Sequence, residues 1–363
     1  MGITYPTTDG TSGQVLQTNG AGALTFVSVA AGGATDIDGL SDAITNSSGR
    51  TIGLGTGALA NDDGTTNDNT ALGYNALNGV TSGQHNTGIG YGAGGFMTTG
   101  ADNTLVGYFS GFNITDGLRN TLIGYESGYS ISTADDIVAV GYNAGRNSGA
   151  GSVWIGSGSG DAGTGGTSSS VGIGKNSLTK ATSYGNTAVG ANAGEEITTG
   201  QNNTLIGRDA GAFSTYLTTG TNNTIIGFNA FPSSSAVSNE ITLGNTSIAT
   251  LRCNQTTISS LSDRRDKTDI EDLPIGLDFI KSLRPVKFRW DRRDGTMSNV
   301  KDAGFIAQEL DEVQQDFNSE EYMKMVLKTN PEKLEAAPGK LIPVLVKAIQ
   351  ELSQEVERLK EGK

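Results

Sequence analysis

The side chains with which this chain could do chemistry are mostly carboxylates and hydroxyls. It has 38 Asp and Glu, but a single His, His85, and a single Cys, Cys253. A Cys/His zinc site cannot be assembled from that set within one chain, nor can an intrachain disulfide. No metal and no cofactor are expected. The adjacent carboxylates Glu195-Glu196 and Asp62-Asp63 are acids of the kind that hydrolyse glycosides. That chemistry needs two carboxyls at a defined separation, and nothing in the spacing pairs them, so they read as surface charge. Gly90-Tyr91-Gly92-Ala93-Gly94-Gly95 and Gly158-Ser159-Gly160-Asp161-Ala162-Gly163 both satisfy G-x-G-x-x-G. With 53 Gly in 363 residues the pattern is background, and no helical stretch follows either copy. Tyr74, Tyr91, Tyr108, Tyr125 and Tyr142 recur every 17 residues and should form a column. An aromatic column can dock sugar rings, but it more often packs on itself or on another subunit.

What must position these residues is a repeat. Between Arg50 and Thr250 the sequence returns to Asn-Thr-x-(apolar)-Gly, often followed by an aromatic and then x-(Ala/Ser)-Gly. The closing glycines fall at 55, 73, 90, 107, 124, 141, 156, 174, 190, 207, 227 and 244. Each of the twelve copies holds a short β-prone stretch whose alternation turns one or two apolar side chains inward. The surrounding Gly, Asn and Asp accept the positive-φ corners of a tight coil. No Pro lies between Pro6 and Pro232, as expected where most backbone N–H groups join a ladder. The unit is one turn of a β-solenoid, and twelve turns at about 4.8 Å make a rod on the order of 55–60 Å. One turn has too few apolar groups to stand alone, so stacking and association of chains must supply the core.

The array Asn-Thr-x-(Ile/Val/Leu)-Gly-Tyr-x-Ala-Gly resembles the head repeats of trimeric autotransporter adhesins and similar arrays in phage tail fibres. The resemblance implies a parallel β-roll built as a trimer. Residues 1–49 read as short strands between turns, with a Gly-Ala linker at Ala30–Ala34, and resemble fibre segments that join a virion.

Near residue 262 the composition changes. Residues 262–363 hold 18 Lys/Arg and 21 Asp/Glu but 5 of the 53 Gly. A helix is expected over Ile275–Leu283, a strand over Val286–Trp290, and a second helix after Gly304-Phe305-Ile306-Ala307-Gln308-Glu309-Leu310. At the end Ile342, Leu345, Ile349, Leu352, Val356 and Leu359 are spaced 3, 4, 3, 4 and 3, an a/d heptad seam of about two and a half heptads. Pro343 falls in the first turn, where it is tolerated.

The run opening at Ser262-Asp263-Arg264-Arg265-Asp266-Lys267, the Gly-Phe-Ile-Ala-Gln-Glu-Leu segment and the terminal helix stand in that order. Together they resemble the intramolecular chaperone domain that ends phage tailspikes, tail fibres and endosialidases. By that resemblance the domain trimerises, folds the shaft before it, and cuts itself off with a Ser–Lys dyad. Ser262 is then the nucleophile, Lys267 the general base, and Ser262–Asp263 the scissile bond. A lysine serves as base if burial depresses its pKa, and the neighbouring Arg264 and Arg265 disfavour its charge. Asp266 stands where the family often has an apolar residue, and a carboxylate there would hold Lys267 protonated.

The expected architecture is mainly β. An attachment segment (1–49) precedes a trimeric solenoid shaft (50–261) and a small α+β chaperone domain (262–363) ending in a trimeric coiled coil. The expected function is a bacteriophage tail fibre, made in the host cytoplasm and placed on the virion tail. It would bind a host-surface glycan or protein and meet other tail or baseplate proteins through its N-terminus. Its only enzymatic activity would be a single-turnover self-cleavage. The alternatives are a bacterial trimeric surface adhesin and a tailspike polysaccharide depolymerase. The net charge of −13 argues against a general nucleic-acid binder. No apolar run approaches the roughly 18 residues of a membrane span, and no signal-peptide pattern opens the chain.

Overall fold

The computed structural model describes residues 4–7, 14–18, 23–28, 43–46, 50–65, 67–161, 168–248, 250–252, 254, 260, 262–293, 295 and 297–362. The linker at 30–34 and Cys253 lie outside those residues. Near the N-terminus, Gln14–Thr18 and Leu24–Ser28 pair as an antiparallel hairpin.

Thirteen strands form one long sheet in chain order. The first, Ala43–Asn46, pairs antiparallel with Thr51–Leu54. From there to Ile241–Leu243 the remaining twelve run parallel, each ending on the residue before a closing glycine. A parallel neighbour one turn away is what a 17-residue coil dictates. The long interval between Gly207 and Gly227 accommodates a small hairpin, Ala212–Phe213 against Thr215–Tyr216.

Each strand is three or four residues long, and the burial of a three-residue strand such as Thr121–Ile123 shows how the turn is built. The middle residue points inward, so Leu105, Leu122, Ala139, Trp154, Ala188, Leu205 and Ile225 stack into the core. At Gly88 and Gly172 the middle residue has no side chain and Leu77 and Trp154 fill the space; the third residue of the strand faces out. A second inward column (Val80, Met97, Ile114, Ile131, Ile197 and Leu217) comes from the opposite wall of the coil. The unit that closes at Gly156 is shorter and carries Ser148 in that wall. Trp154 lies buried in this unit and donates its indole N–H to Ser148 Oγ at 2.7 Å.

Polar groups inside the coil are paired in columns. Asn103 is buried; its Nδ2 donates to Gly117 O at 2.8 Å, and its Oδ1 accepts the Asn120 N–H at 2.9 Å. Asn86 does the same for Asn103 one turn earlier. The closing glycines are forced by close approach: Gly107 sits at φ 136°, and a Cβ there would collide with the carbonyl oxygen of Gly124.

The C-terminal region is a small α+β unit. Helices α1 (Leu277–Ser282), α2 (Ala307–Asp316), α3 (Glu320–Met323) and α4 (Leu341–Glu361) accompany two hairpins, Val286–Asp291 with Ser298–Gly304 and Val326–Leu327 with Glu335–Ala336. Its core joins Ile275, Phe279, Leu310, Met325, Leu341 and Val344. From α4, Glu351 reaches back and accepts the Leu277 N–H at 2.7 Å, serving the open start of α1. Leu341 and Val344 of α4 face this core and Ala348 is also buried, whereas the heptad seam lies on another face of the same helix. Ile342, Leu345, Ile349, Leu352, Val356 and Leu359 are 41–66 % exposed on the single chain.

Candidate functional site

The segment Ser262–Lys267 is shaped by Asp263. Its carboxylate caps a short 3-10 turn, Arg264–Asp266, by accepting the Arg265 N–H at 2.9 Å. Backbone bonds from Asp266 N to Asp263 O and from Lys267 N to Arg264 O, both 3.2 Å, complete the reversal. The reversal returns Lys267 to the start of the segment, where its Nζ donates to Ser262 Oγ at 2.7 Å. Arg265 folds back on Asp263 at 2.6 Å. The Arg265 guanidinium and the turn's N–H together hold the Asp263 carboxyl below the ordinary carboxylate range. Among the described residues no ion pair joins Asp266 to Lys267, although the two are adjacent in sequence. Ser262 and Lys267 are both exposed. A hydroxyl within hydrogen-bond reach of an amine is the arrangement from which a nucleophile can be generated.

On the shaft, the rings of Tyr74, Tyr91, Tyr108, Tyr125 and Tyr142 stack at 5.0–5.2 Å with interplanar angles of 6–20°. Their faces are therefore spent on one another, and what they offer outward is ring edge and hydroxyl. The Glu126 carboxylate accepts from Tyr125 and keeps that phenol protonated above its usual range. Beside them runs a second outward column, the third residue of every strand. It reads Leu54, Leu72, Ile89, Val106, Ile123, Val140, Ile155, Ile173, Val189, Ile206, Ile226 and Leu243, apolar in all twelve turns. Exposure of these residues, such as 40 % at Ile155 and Ile206, leaves an apolar stripe along the rod.

Three of the four adjacent carboxylates noted in the sequence have structural partners, although Asp62 Oδ2 is buried without one. Asp62 and Asp63 accept the N–H groups of Gly64 and Thr65 in tight turns, and Glu196 pairs with Lys180 at 2.6 Å. In the first Gly-rich run, Gly90, Gly92 and Gly94 form corners of the coil at positive φ; the second run lies partly outside the described residues. His85 sits between Asp68 and Asp102, with its Nδ1 3.0 Å from Asp102. Those two belong to a corner column, Arg50, Asp68, His85, Asp102, Arg119 and Asp136, in which basic and acidic residues alternate.

Stacking also creates a cluster that the sequence does not announce. Arg146 pairs with Glu126 at 3.3 Å, lies 5.3 Å from the Tyr129 ring centre, and faces Asp161. Burial pushes the Asp161 carboxyl up, and the Glu126 charge adds to that, while Arg146 and Asn143 oppose it. Nε of Arg146 and Oδ1 of Asn143 are buried without a hydrogen-bond partner. Glu126 and Asp161 come from turns two apart, so the only sequence signal available is the repeat register itself.

Residues 262–319 match a protein-family model described as "Chaperone of endosialidase". The match opens on Ser262 and takes in both the capped turn and the Gly304–Leu310 segment, while α4 lies beyond it. No curated protein and no solved structure matches the chain. A parallel β-solenoid shaft followed by a C-terminal domain of the endosialidase-chaperone family is thus what this chain is built from, consistent with a tailspike or tail fibre that carries its own chaperone.

Proposed function

We propose that the chain is a trimeric bacteriophage tailspike or tail-fibre protein whose C-terminal domain aligns three copies, directs folding of the shaft and then releases itself. In this reading residues 1–49 attach to other virion tail proteins, 50–261 are the shaft, and 262–363 are the chaperone. Ser262 is the nucleophile, Lys267 its base, and the Ser262–Asp263 bond the one cut. The observation that carries it is the coincidence of the family match with the 2.7 Å contact between Lys267 Nζ and Ser262 Oγ. Trimer formation is supported by the two apolar surfaces left open on one chain, the column Leu54–Leu243 and the α4 seam. Contiguous apolar stripes of that length are covered in soluble proteins. Out-of-register pairing is the hazard of near-identical turns, and a terminal trimeriser removes it. Its departure leaves the shaft held by a kinetic barrier.

The family description names an endosialidase, which favours the tailspike form, acting on a host-surface polysaccharide, over a fibre that only binds. Glu126 and Asp161, drawn around Arg146, are the carboxylates to replace in testing that form. Release of reducing ends from capsule or lipopolysaccharide separates the two.

The first test is the intact mass of the purified chain beside Lys267→Ala. Two products dividing after Ser262 are expected for the wild type, and one 37.4 kDa species for the variant. A single uncut species in both would overturn the self-cleaving reading.

A further inference from the structure

Resting on the reading that the shaft meets a host surface, the repeat itself marks where. Two residues after each closing glycine, from Gly55 to Gly227, the backbone takes a positive φ. Gly, Asn or Asp fills that corner in most turns, as Asn75, Gly92, Asn143 and Asp209 do, because other side chains are strained there. Phe109 and Glu126, in adjacent turns, depart from this at φ 53° and 49°. Leu77 and Leu178 hold the same backbone at another corner, but both are fully buried, so core packing compensates. Phe109 is only partly buried and stands outside the core cluster. Strain kept where the coil elsewhere uses an unstrained residue points to a functional position.

Further departures cluster around it. Phe109 lies 4.4 Å from Phe112, and Phe112 meets Phe96 at 4.7 Å and Tyr129 at 5.7 Å. Gly92 and Gly95 make room for two of these rings, since a Cβ at either would collide with Phe109 or Phe112. At the places of Phe96 and Phe112 other turns carry Ser130 and Asn78, so the coil does not require the rings. Among the described residues Phe96 has one ring contact, at 63° to Phe112, and it stays 56 % exposed, which leaves ring surface open. A contact between copies running side by side would recur in every turn, as the column Leu54–Leu243 does. This patch is confined to the turns that follow Gly90, Gly107 and Gly124.

We propose that this patch is a binding site for a neutral glycan of the host surface. A pyranose has an apolar C–H face and a rim of hydroxyls, the complement of aromatic rings bordered by polar groups. Asn113 and Ser130 supply that border, continuing the Phe96 position through the next two turns. An acidic glycan would need a cation, and the one at the end of the patch is taken. Arg146 is paired with Glu126 at 3.3 Å and lies over the Tyr129 ring. The net charge of −13 also repels a polyanion. The tyrosine column cannot serve instead, since its ring faces cover one another.

The test presents the full chain to an array of purified bacterial surface polysaccharides of known structure, neutral and acidic, beside Phe96→Ser, Phe109→Asn and Phe112→Asn. Each substitution installs a residue the coil already holds at the equivalent place in another turn. Far-UV circular dichroism and the mass by light scattering should therefore not change. The wild type is expected to retain one or more neutral polysaccharides, and each variant to bind them about tenfold less tightly. Retention of acidic polysaccharides only, or binding untouched by all three substitutions, would overturn this site while leaving a shaft that binds host glycans. If no polysaccharide is retained, the glycan assignment falls in favour of a protein receptor, and the intact mass still decides the chaperone reading. A lower mass in the variants would overturn the site too, by assigning the rings to contacts between copies.

Discussion

Replacing Asn103 by Ala tests whether the buried amide column holds the shaft together. The side chain is 1 % exposed and serves three neighbours: Gly117 O, the Asn120 N–H and Asn86 Oδ1. Asn86 Oδ1 keeps the Asn103 backbone N–H after truncation, so it is not stranded. Gly117 O and the Asn120 N–H lose their side-chain partner. A buried group left unsatisfied costs about 1–3 kcal/mol, so two of them should cost roughly 4 kcal/mol. For a domain of shaft size each kcal/mol lowers the unfolding temperature by about 2–4 °C, which predicts a fall on the order of 8–16 °C. The assay is thermal unfolding of the full chain followed by far-UV circular dichroism at one fixed scan rate. Asp116→Ala in the same turn is the control; that exposed carboxylate meets only the Thr115 hydroxyl, at 3.2 Å, and should move stability by less than about 0.5 kcal/mol. Asn103→Asp sharpens the result, because a carboxylate keeps the bond from Asn120 but opposes Gly117 O and Asn86 Oδ1. It should be at least as damaging at neutral pH and partly recover in acid. An Asn103→Ala shift no larger than that of the control would show that the column contributes nothing, and the ladder argument would be wrong.

Other consequences are as direct. Asp161 has its carboxyl raised from 3.8 by burial, so the folded state holds its proton more tightly than the unfolded chain. That contribution is fully present below the unfolded value and is lost as pH rises through the folded one. Asp161→Asn should therefore raise the unfolding temperature at pH 7, with the gain vanishing below the ordinary carboxylate range; a variant less stable than wild type at pH 7 would contradict the assignment. If copies of the chain associate through the α4 seam, replacing Ile349 and Leu352 together by Asp should lower the molecular mass seen by light scattering, since both lie on that exposed seam and neither belongs to the domain core. An unchanged mass would place the association elsewhere.

Much of the shaft was legible in the sequence because a coil of constant length repeats its constraints. Glycines at 90, 107 and 124 must recur where neighbouring backbones touch, and Asn at 86, 103 and 120 where a corner needs both a donor and an acceptor. The C-terminal change was legible from charge and glycine content. Less legible was the direction of each apolar residue. Thr-Leu-Ile suggests one or two inward groups, and a strand of three residues can turn only its middle one inside, so Ile123 faces out while Leu122 is buried.

What the sequence alone determined is whatever depends on spacing along one chain: the twelve-turn period, the tyrosine register, the heptad seam and the five-residue step from Ser262 to Lys267. What only the tertiary structure decided is which of these groups meet, and on which side. Stacking turned the tyrosine faces onto each other and closed them to a sugar ring. It drew Glu126, Arg146 and Asp161 together from different turns. The Asp263 cap bent the chain so that Lys267 meets the Ser262 hydroxyl in place of the adjacent Asp266. Packing of Leu341 and Val344 against the domain core left the heptad seam outward and exposed. Periodicity is a one-dimensional property; contact depends on twist, burial and turn geometry, which exist only once the chain has folded.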